Sequence, residues 1–105
     1  MRALPLRAGP VTSAGDLLTA VARGDRTALG GLYDRLGALV FGLVTDALRT
    51  PTGQVDSLVA EEAALDAWTH VWRNAPALLR TSRLPLTTAE AITWIAEEVR
   101  QRHAA

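Results

Sequence analysis

Four ionisable side chains recur at helical spacing in the middle of the chain. Glu62, Asp66 and His70 are four residues apart, and Arg73 follows three residues later. On a helix this spacing places them on one face, and carboxylates with an imidazole can hold a divalent metal. A single helix supplies a poor set of metal ligands, however, and the sequence shows no second cluster of such residues. We therefore predict no metal site, and a solvated face or a protein-docking face are the alternatives.

Residues suited to catalysis are sparse. Ser13, Ser57 and Ser82 lack the glycine-rich elbow of a nucleophilic serine, and no glycine loop suited to a phosphate occurs. The chain contains no cysteine, which excludes thiolate chemistry and disulfides. We expect a protein that is not an enzyme, with no catalytic residue and no cofactor.

Positive charge is arranged locally. Eleven arginines balance eleven Asp and Glu residues, so the net charge provides no general attraction to nucleic acid. The candidate DNA-binding residues are Arg80, Arg83, Arg100 and Arg102. Glu97 and Glu98 lie between these clusters, and Trp94 is the single aromatic residue of the last segment. The residues alone therefore favour DNA binding only weakly.

The apolar pattern predicts four helices that position these groups. Their predicted boundaries are Ser13 to Gly24, Asp25 to about Arg49, Asp56 or Ser57 to Asn74 or Ala75, and Thr87 to the C-terminus. Ser13, Asp25 and the Thr87–Glu90 capping box supply the starts. Pro76 ends the third helix, and residues 80–86 are predicted to be a loop. We attribute some of the glycines of the second helix to close helix crossing.

The three tryptophans are predicted to be core residues. Trp68 and Trp72 are four residues apart on the third helix, on an apolar face that also carries Leu58 and Leu65. Both indoles can point inward and bury a large area. Trp94 on the fourth helix lies at the helical spacing that is typical of core residues. Core packing is favoured over a ligand-stacking role for these side chains.

Length and composition indicate one small domain. The 105 residues are rich in Ala and Leu, which favours an all-α fold, a small four-helix bundle over residues 13–105. Residues 1–12 contain two prolines and no long apolar run, so we expect a disordered lead and no signal peptide. No segment approaches the roughly 20 apolar residues of a membrane span. These features predict a cytoplasmic protein without membrane contact.

The order of these motifs resembles region 2 of the sigma-70 family, in its extracytoplasmic-function (ECF) group. The resemblance rests on DLL…GDRTAL…LY (Asp16 to Tyr33), EEAALDAWTHVWR (Glu61 to Arg73) and the helix around Trp94. It covers nearly the whole chain from Asp16 onward. The family's fold is helical, as the composition also predicts.

The resemblance implies a partner and a role. Family members dock on the clamp helices of the RNA polymerase β′ subunit and recognise and melt the −10 promoter element. The implied docking positions are Glu62, Leu65 and Asp66, extended by His70 and Arg73. Leu65 stands where the family has Gln, and Asp66 where it has Glu. The implied promoter contacts are Arg80, Arg83, Arg100 and Arg102.

Two departures motivate an alternative role. Glu97 and Glu98 occupy a helix that is rich in Arg and Asn in the family, and acidic groups repel phosphates. Region 4, which recognises the −35 element in family members, is not found in this sequence. The alternative is a regulatory module with the same fold, which binds an anti-sigma factor or competes for polymerase without promoter recognition.

Overall fold

The computed structural model describes residues 12–103, and this part of the chain is a small all-α bundle. Four long helices and one short helix follow one another: α1 (Ala14–Ala22), α2 (Arg26–Leu48), α3 (Ser57–Asn74), α4 (Leu78–Thr81) and α5 (Thr88–Arg102). Residues 12–103 contain no β-strand. The predicted all-α fold is therefore confirmed. The predicted disordered lead, except for Thr12, lies outside the described residues.

Side-chain caps set the starts of the long helices, as the sequence predicts. Ser13 accepts a hydrogen bond from the Asp16 amide at 3.0 Å, and Asp25 accepts one from the Ala28 amide at 3.1 Å. Thr87 and Glu90 form a reciprocal capping box. Each cap satisfies a backbone donor that the first helical turn leaves without a partner.

The predicted loop at residues 80–86 is shorter than expected. After α3 the chain continues in a 3-10 turn, Ala75–Ala77, and then in α4. Pro76 lies in the first turn of this segment, where its missing amide hydrogen costs no hydrogen bond. Leu78 is buried in the core. The segment is therefore a packed connection, and the irregular chain begins only at Ser82.

The centre of the bundle is aliphatic. The largest fully buried side chains are Leu18, Leu32, Leu78, Ile95, Val21, Val40, Val44, Val71 and Val99. Trp68 is 6% exposed and meets Tyr33 edge to face, with 5.7 Å between the ring centroids. Trp72 and Trp94 are only partly buried and pack against the core from its edge. A step of four residues turns a helix about 40° beyond a full turn, so Trp72 lies further round α3 than Trp68.

The apolar face predicted for α3 has to be corrected. This helix packs into the core through Ala60, Ala67, Trp68 and Val71. Leu58 and Leu65 point outward, with 71% and 62% of their surface exposed. The buried stripe of α3 consists of two alanines, Trp68 and Val71, and the two leucines lie outside it.

A close backbone approach joins α1 to the start of α5. A Cβ atom at Gly15 would lie 2.6 Å from the carbonyl carbon of Thr87, which is too close for any side chain. The Leu86 amide donates to Thr19 Oγ1 at 3.0 Å, and that hydroxyl donates to the Gly15 carbonyl at 2.8 Å. Thr19 is therefore a buried polar residue whose hydroxyl is fully satisfied.

The glycines of α2 do not share one explanation. Only Gly31 faces another helix closely, since a Cβ atom at this position would lie 3.1 Å from Leu17 Cδ2. At Gly30 and Gly42 a Cβ atom would have nothing within 4 Å. Close helix crossing therefore explains Gly31 in α2, while the tightest approach among the described glycines is at Gly15 of α1.

Helix α2 is long and apolar enough to cross a membrane by length and composition, so the expectation that no segment approaches this limit was wrong. The helix carries Asp34 and Arg35 in its middle, and charged side chains are costly in hydrocarbon. Leu32, Val40 and Val44 on one side of it are buried in the core. The core helix of a folded bundle passes the same test.

Two glycine substitutions test the approach at Gly15. We expect Gly15→Ala to destabilise the protein by about 1–3 kcal/mol, because the new methyl group overlaps the backbone of Leu86 and Thr87. Gly42→Ala should instead stabilise it by up to about 1 kcal/mol, since the site is open and Ala favours helix. Urea unfolding followed by circular dichroism measures both. Equal effects of the two substitutions would contradict the close approach.

Candidate protein-docking and nucleic-acid surfaces

An apolar groove runs between α2 and α3, and we call it the α2–α3 groove. Two adjoining depressions form it. The first is lined by Arg26, Leu29, Leu65, Trp68, Thr69 and Trp72, and the second by Tyr33, Gly37, Ala38, Phe41, Glu61, Ala64 and Leu65. Leu65 borders both depressions and is one of the most exposed large apolar residues of the described chain. Contiguous exposed apolar surface of this kind is typical of interaction sites.

Aromatic and charged side chains shape the two ends of the groove. At one end the guanidinium carbon of Arg26 lies 5.9 Å from the centre of the Trp72 ring, a distance suited to a cation–π contact. At the other end Tyr33 and Phe41 remain partly exposed, beside Glu61. The groove thus offers an apolar floor with one cationic and one acidic end.

The face of α3 that carries Glu62, Asp66, His70 and Arg73 is not fully exposed to solvent. Two of its residues are paired with α5, which runs antiparallel to α3. Asp66 pairs with Arg102, and His70 Nε2 lies 2.9 Å from Glu98 Oε1. A solvated face and a protein-docking face were the predicted alternatives for this side of α3, and at Asp66 and His70 it contacts α5 of the same molecule. The reason is the position of α5, which brings its Glu98 and Arg102 opposite α3.

The contact between Asp66 and Arg102 uses both oxygens of the carboxylate. Arg102 Nε donates to Oδ2, and Arg102 Nη2 donates to Oδ1 at 3.1 Å. This bidentate geometry is the strongest form of an arginine–carboxylate contact. The Arg102 guanidinium, chiefly through these hydrogen bonds, lowers the pKa of the Asp66 carboxyl below its ordinary value. The same hydrogen bonding raises the pKa of Arg102.

His70 and Glu98 form the more enclosed of the two contacts. The side chains are 27% and 13% exposed, against 48% and 44% for Arg102 and Asp66. Asn74 Nδ2 also donates to the His70 carbonyl at 3.0 Å, which holds the last turn of α3 in place. The two cross-helix contacts therefore form a clasp between α3 and α5, deeper at His70 and more exposed at Asp66.

Another depression lies between α4 and α5, and it contains one of the predicted DNA-binding residues. Its lining includes Leu78, Ser82, Arg83, Leu86, Trp94 and Glu97. Trp94 forms part of its wall and is partly buried. Glu90 and Glu97 contribute negative charge to the same depression.

The remaining predicted site residues lie at the surface. Glu62, Arg73, Arg80 and Arg83 are exposed. Arg100 is held by Glu97 of its own helix at 3.0 Å. The structure thus brings Glu62, Leu65 and Asp66 together on α3, and it separates Arg83 from Arg102, which is drawn toward α3. Within residues 12–103 no group of three or more His, Asp or Glu side chains is placed to hold a metal ion.

Comparison with known proteins gives a partial match. No family model matches the chain, and no solved structure matches it significantly. Over 59 residues, or 56% of this chain, the sequence is 41% identical to the ECF RNA polymerase sigma factor SigK of Mycolicibacterium vanbaalenii. That part of the chain is similar to an ECF sigma factor. The match covers 27% of the relative, so the chain spans about a quarter of the length of the curated protein it matches.

Sequence reasoning missed the partners of the candidate residues. Tyr33 and Phe41 line the α2–α3 groove, and Glu98 contacts His70. A usable signal existed for the clasp, because Asp66 and His70 have the same four-residue spacing as Glu98 and Arg102. When two helices run antiparallel, two pairs of residues with equal spacing can lie opposite each other.

The Asp66–Arg102 contact predicts a specific effect of pH. Because the pKa of Asp66 is lowered in the folded state, the contact stabilises the protein above the unfolded pKa of about 3.9. That contribution is lost as the pH falls through the lower, folded value. In Arg102→Gln we expect the Asp66 pKa to rise toward the unfolded value, as measured by NMR titration of the carboxyl carbon. An Asp66 pKa that is unchanged in the variant would contradict the contact.

Proposed function

We propose that this protein binds core RNA polymerase through the α2–α3 groove, as a sigma region 2-like factor. The single observation that carries the proposal is Leu65, an exposed leucine in the middle of an apolar groove. It lies between the acidic residues Glu62 and Asp66, on the segment that resembles the docking helix of sigma factors. The partial match to an ECF sigma factor supports the same partner.

The proposed contact is with the clamp helices of the β′ subunit. A partner helix lies in such a groove by placing apolar side chains on Leu65 and its aromatic neighbours. Glu62 and Asp66 then face cationic groups along the rim. This role requires no catalytic residue and no cofactor, and it places the protein in the cytoplasm with the polymerase.

Recognition of the −10 promoter element is the second part of the proposal. It is supported by the depression that Arg83 and Trp94 line together, because aromatic side chains beside cationic ones are typical of sites that bind unpaired bases. Arg80 and Arg83 lie at the surface nearby and can contact phosphates. Melting of the promoter would expose the unpaired bases that such a depression can accept.

The charge distribution favours one alternative. Glu90 and Glu97 line the same depression, and Arg100 and Arg102 are both engaged with acidic side chains. These features weaken the attraction for phosphates. The alternative function is a regulatory module that binds polymerase competitively, or binds an anti-sigma factor, without recognising a promoter.

Two exposed leucines test polymerase docking. Leu65→Asp should reduce the affinity for core polymerase, or for its isolated clamp-helix fragment, by at least about tenfold, because a charge would be buried in the interface. Leu79→Asp is the matched control, since Leu79 is about half exposed and lies on α4, outside the groove. Biolayer interferometry with immobilised polymerase measures both. Failure of the unmodified protein to bind polymerase would overturn the proposal.

Promoter opening separates the two functions. In a library of promoter sequences, polymerase bound to this protein should open some of the promoters. The unpaired thymines of the opened segment should then react with permanganate. Arg83→Gln should reduce that signal by about tenfold through loss of a charge-assisted contact, whereas Arg49→Gln, remote from the depression, should not change it. Polymerase binding without opening of any promoter would instead support the regulatory module.

A further inference from the structure

We propose that, in the free protein, the α2–α3 groove is covered by the same groove of a second copy of this chain, in a two-fold symmetric dimer with antiparallel α3 helices. Such a dimer goes beyond the proposed function, because it forms without polymerase. Three features of the groove support it: the exposed apolar floor, the opposite charges at the two ends, and the position of Leu65 between them.

The groove exposes apolar surface that the isolated bundle leaves in water. Leu65 of α3 is 62% exposed, and Tyr33 and Phe41 of α2 are 52% and 38% exposed. Leu65 borders both depressions of the groove. A second apolar surface that covers these side chains stabilises the pair by roughly 25 cal/mol for each Å² removed from water.

The two ends of the groove carry opposite charges. Arg26 borders one end, where its guanidinium carbon lies 5.9 Å from the centre of the Trp72 ring. Glu61 borders the other end. Both residues are exposed, and within residues 12–103 neither forms an ion pair with another side chain. Each is therefore accessible to a partner of opposite charge.

These charges select one of the two symmetric ways in which two grooves can lie face to face. A closed dimer uses the same surface of each copy. A two-fold axis that runs along the groove places Arg26 opposite the partner's Arg26 and Glu61 opposite the partner's Glu61. An axis that crosses the groove instead places Arg26 of each copy opposite the partner's Glu61. Complementary charges fix the register of an interface, so we expect the crossing axis, which makes the α3 helices antiparallel.

Leu65 lies near the centre of this arrangement. Glu61 and Trp72 mark the two ends of the groove on α3 and are about 16 Å apart along the helix, at ~1.5 Å per residue. An axis that crosses midway between them passes beside Leu65 and brings the leucines of the two copies into contact. Apolar side chains at the centre and charged ones at the rim are typical of protein–protein interfaces.

The outer rim of α3 has the same polarity as the groove. Glu62 lies in the N-terminal half of this helix and Arg73 at its C-terminal end, and both residues are exposed. Their separation of 11 residues equals that of Glu61 and Trp72. The axis that places Arg26 opposite the partner's Glu61 therefore also brings Arg73 toward the partner's Glu62.

The first experiment measures self-association of the unmodified protein. An interface formed by two helices of each copy is small, and we expect a dissociation constant on the order of 10–100 µM. In sedimentation equilibrium, the weight-average mass should rise from the monomer value of 11.2 kDa toward twice that value. Concentrations from about 5 to about 500 µM span the expected constant. A mass that stays monomeric over this range would overturn the proposal.

The second experiment reverses one charge at a time. Arg26→Glu gives a groove with two acidic ends, and Glu61→Arg gives one with two cationic ends. Each variant alone should associate at least about tenfold more weakly than the unmodified protein, because like charges then face each other. An equimolar mixture of the two variants restores both opposite-charge contacts and should form a heterodimer. A mixture that associates no more strongly than either variant alone would overturn the proposal.

Two controls separate this register from a general effect of net charge. The double variant with both Arg26→Glu and Glu61→Arg exchanges the two ends at unchanged net charge, and it should self-associate like the unmodified protein. Arg49→Glu and Asp46→Arg make the same single charge changes at residues that do not line the groove. Each of these two variants should retain the unmodified affinity. Circular dichroism shows whether every variant is folded.

The outcomes separate the dimer from the proposed function. A monomeric protein that binds core polymerase defeats only the dimer, whereas a dimeric protein that does not bind polymerase defeats only the proposed function. Self-association that neither Arg26→Glu nor Glu61→Arg weakens belongs to another surface, and it would overturn the proposal for the α2–α3 groove.

Discussion

The close backbone approach at Gly15 determines how the rest of the bundle is arranged. Because Gly15 has no side chain, the segment before α5 can lie directly against α1, where Thr19 accepts the Leu86 amide. The Thr87 cap then starts α5 immediately afterwards. With its start and direction fixed, α5 presents Glu98 and Arg102 to α3. The clasp between α3 and α5 is therefore a consequence of packing at the opposite end of the helix.

The small side chains of α3 explain why an apolar groove remains at the surface. Ala60 and Ala67 occupy the buried stripe of this helix together with the larger side chains of Trp68 and Val71. Leu65 is consequently excluded from the core and borders both depressions of the α2–α3 groove. Burial of that leucine by a partner would release a free energy that the isolated bundle does not use.

Local signals in the sequence predicted some features well and others poorly. The caps at Ser13, Asp25 and Thr87 depend on hydrogen bonds within four residues, so type and spacing are sufficient to identify them. The outward position of Leu65 and the edge position of Trp72 depend on which neighbour each side chain meets. A helical pattern identifies a stripe, but it does not show how wide the buried part of that stripe is.

The amino-acid sequence by itself determined the all-α class, the helix starts and the acidic and cationic residues that are candidates for binding. These are set by composition and by interactions between residues close in the chain. Only the tertiary structure decided that Asp66 and Arg102, which are 36 residues apart, contact each other and that Leu65 faces outward. The physical reason is that α5 starts at a backbone contact with Gly15 of α1, and this contact fixes the course of α5 past α3. A contact between residues so far apart in the chain leaves no trace in the periodicity of a single helix.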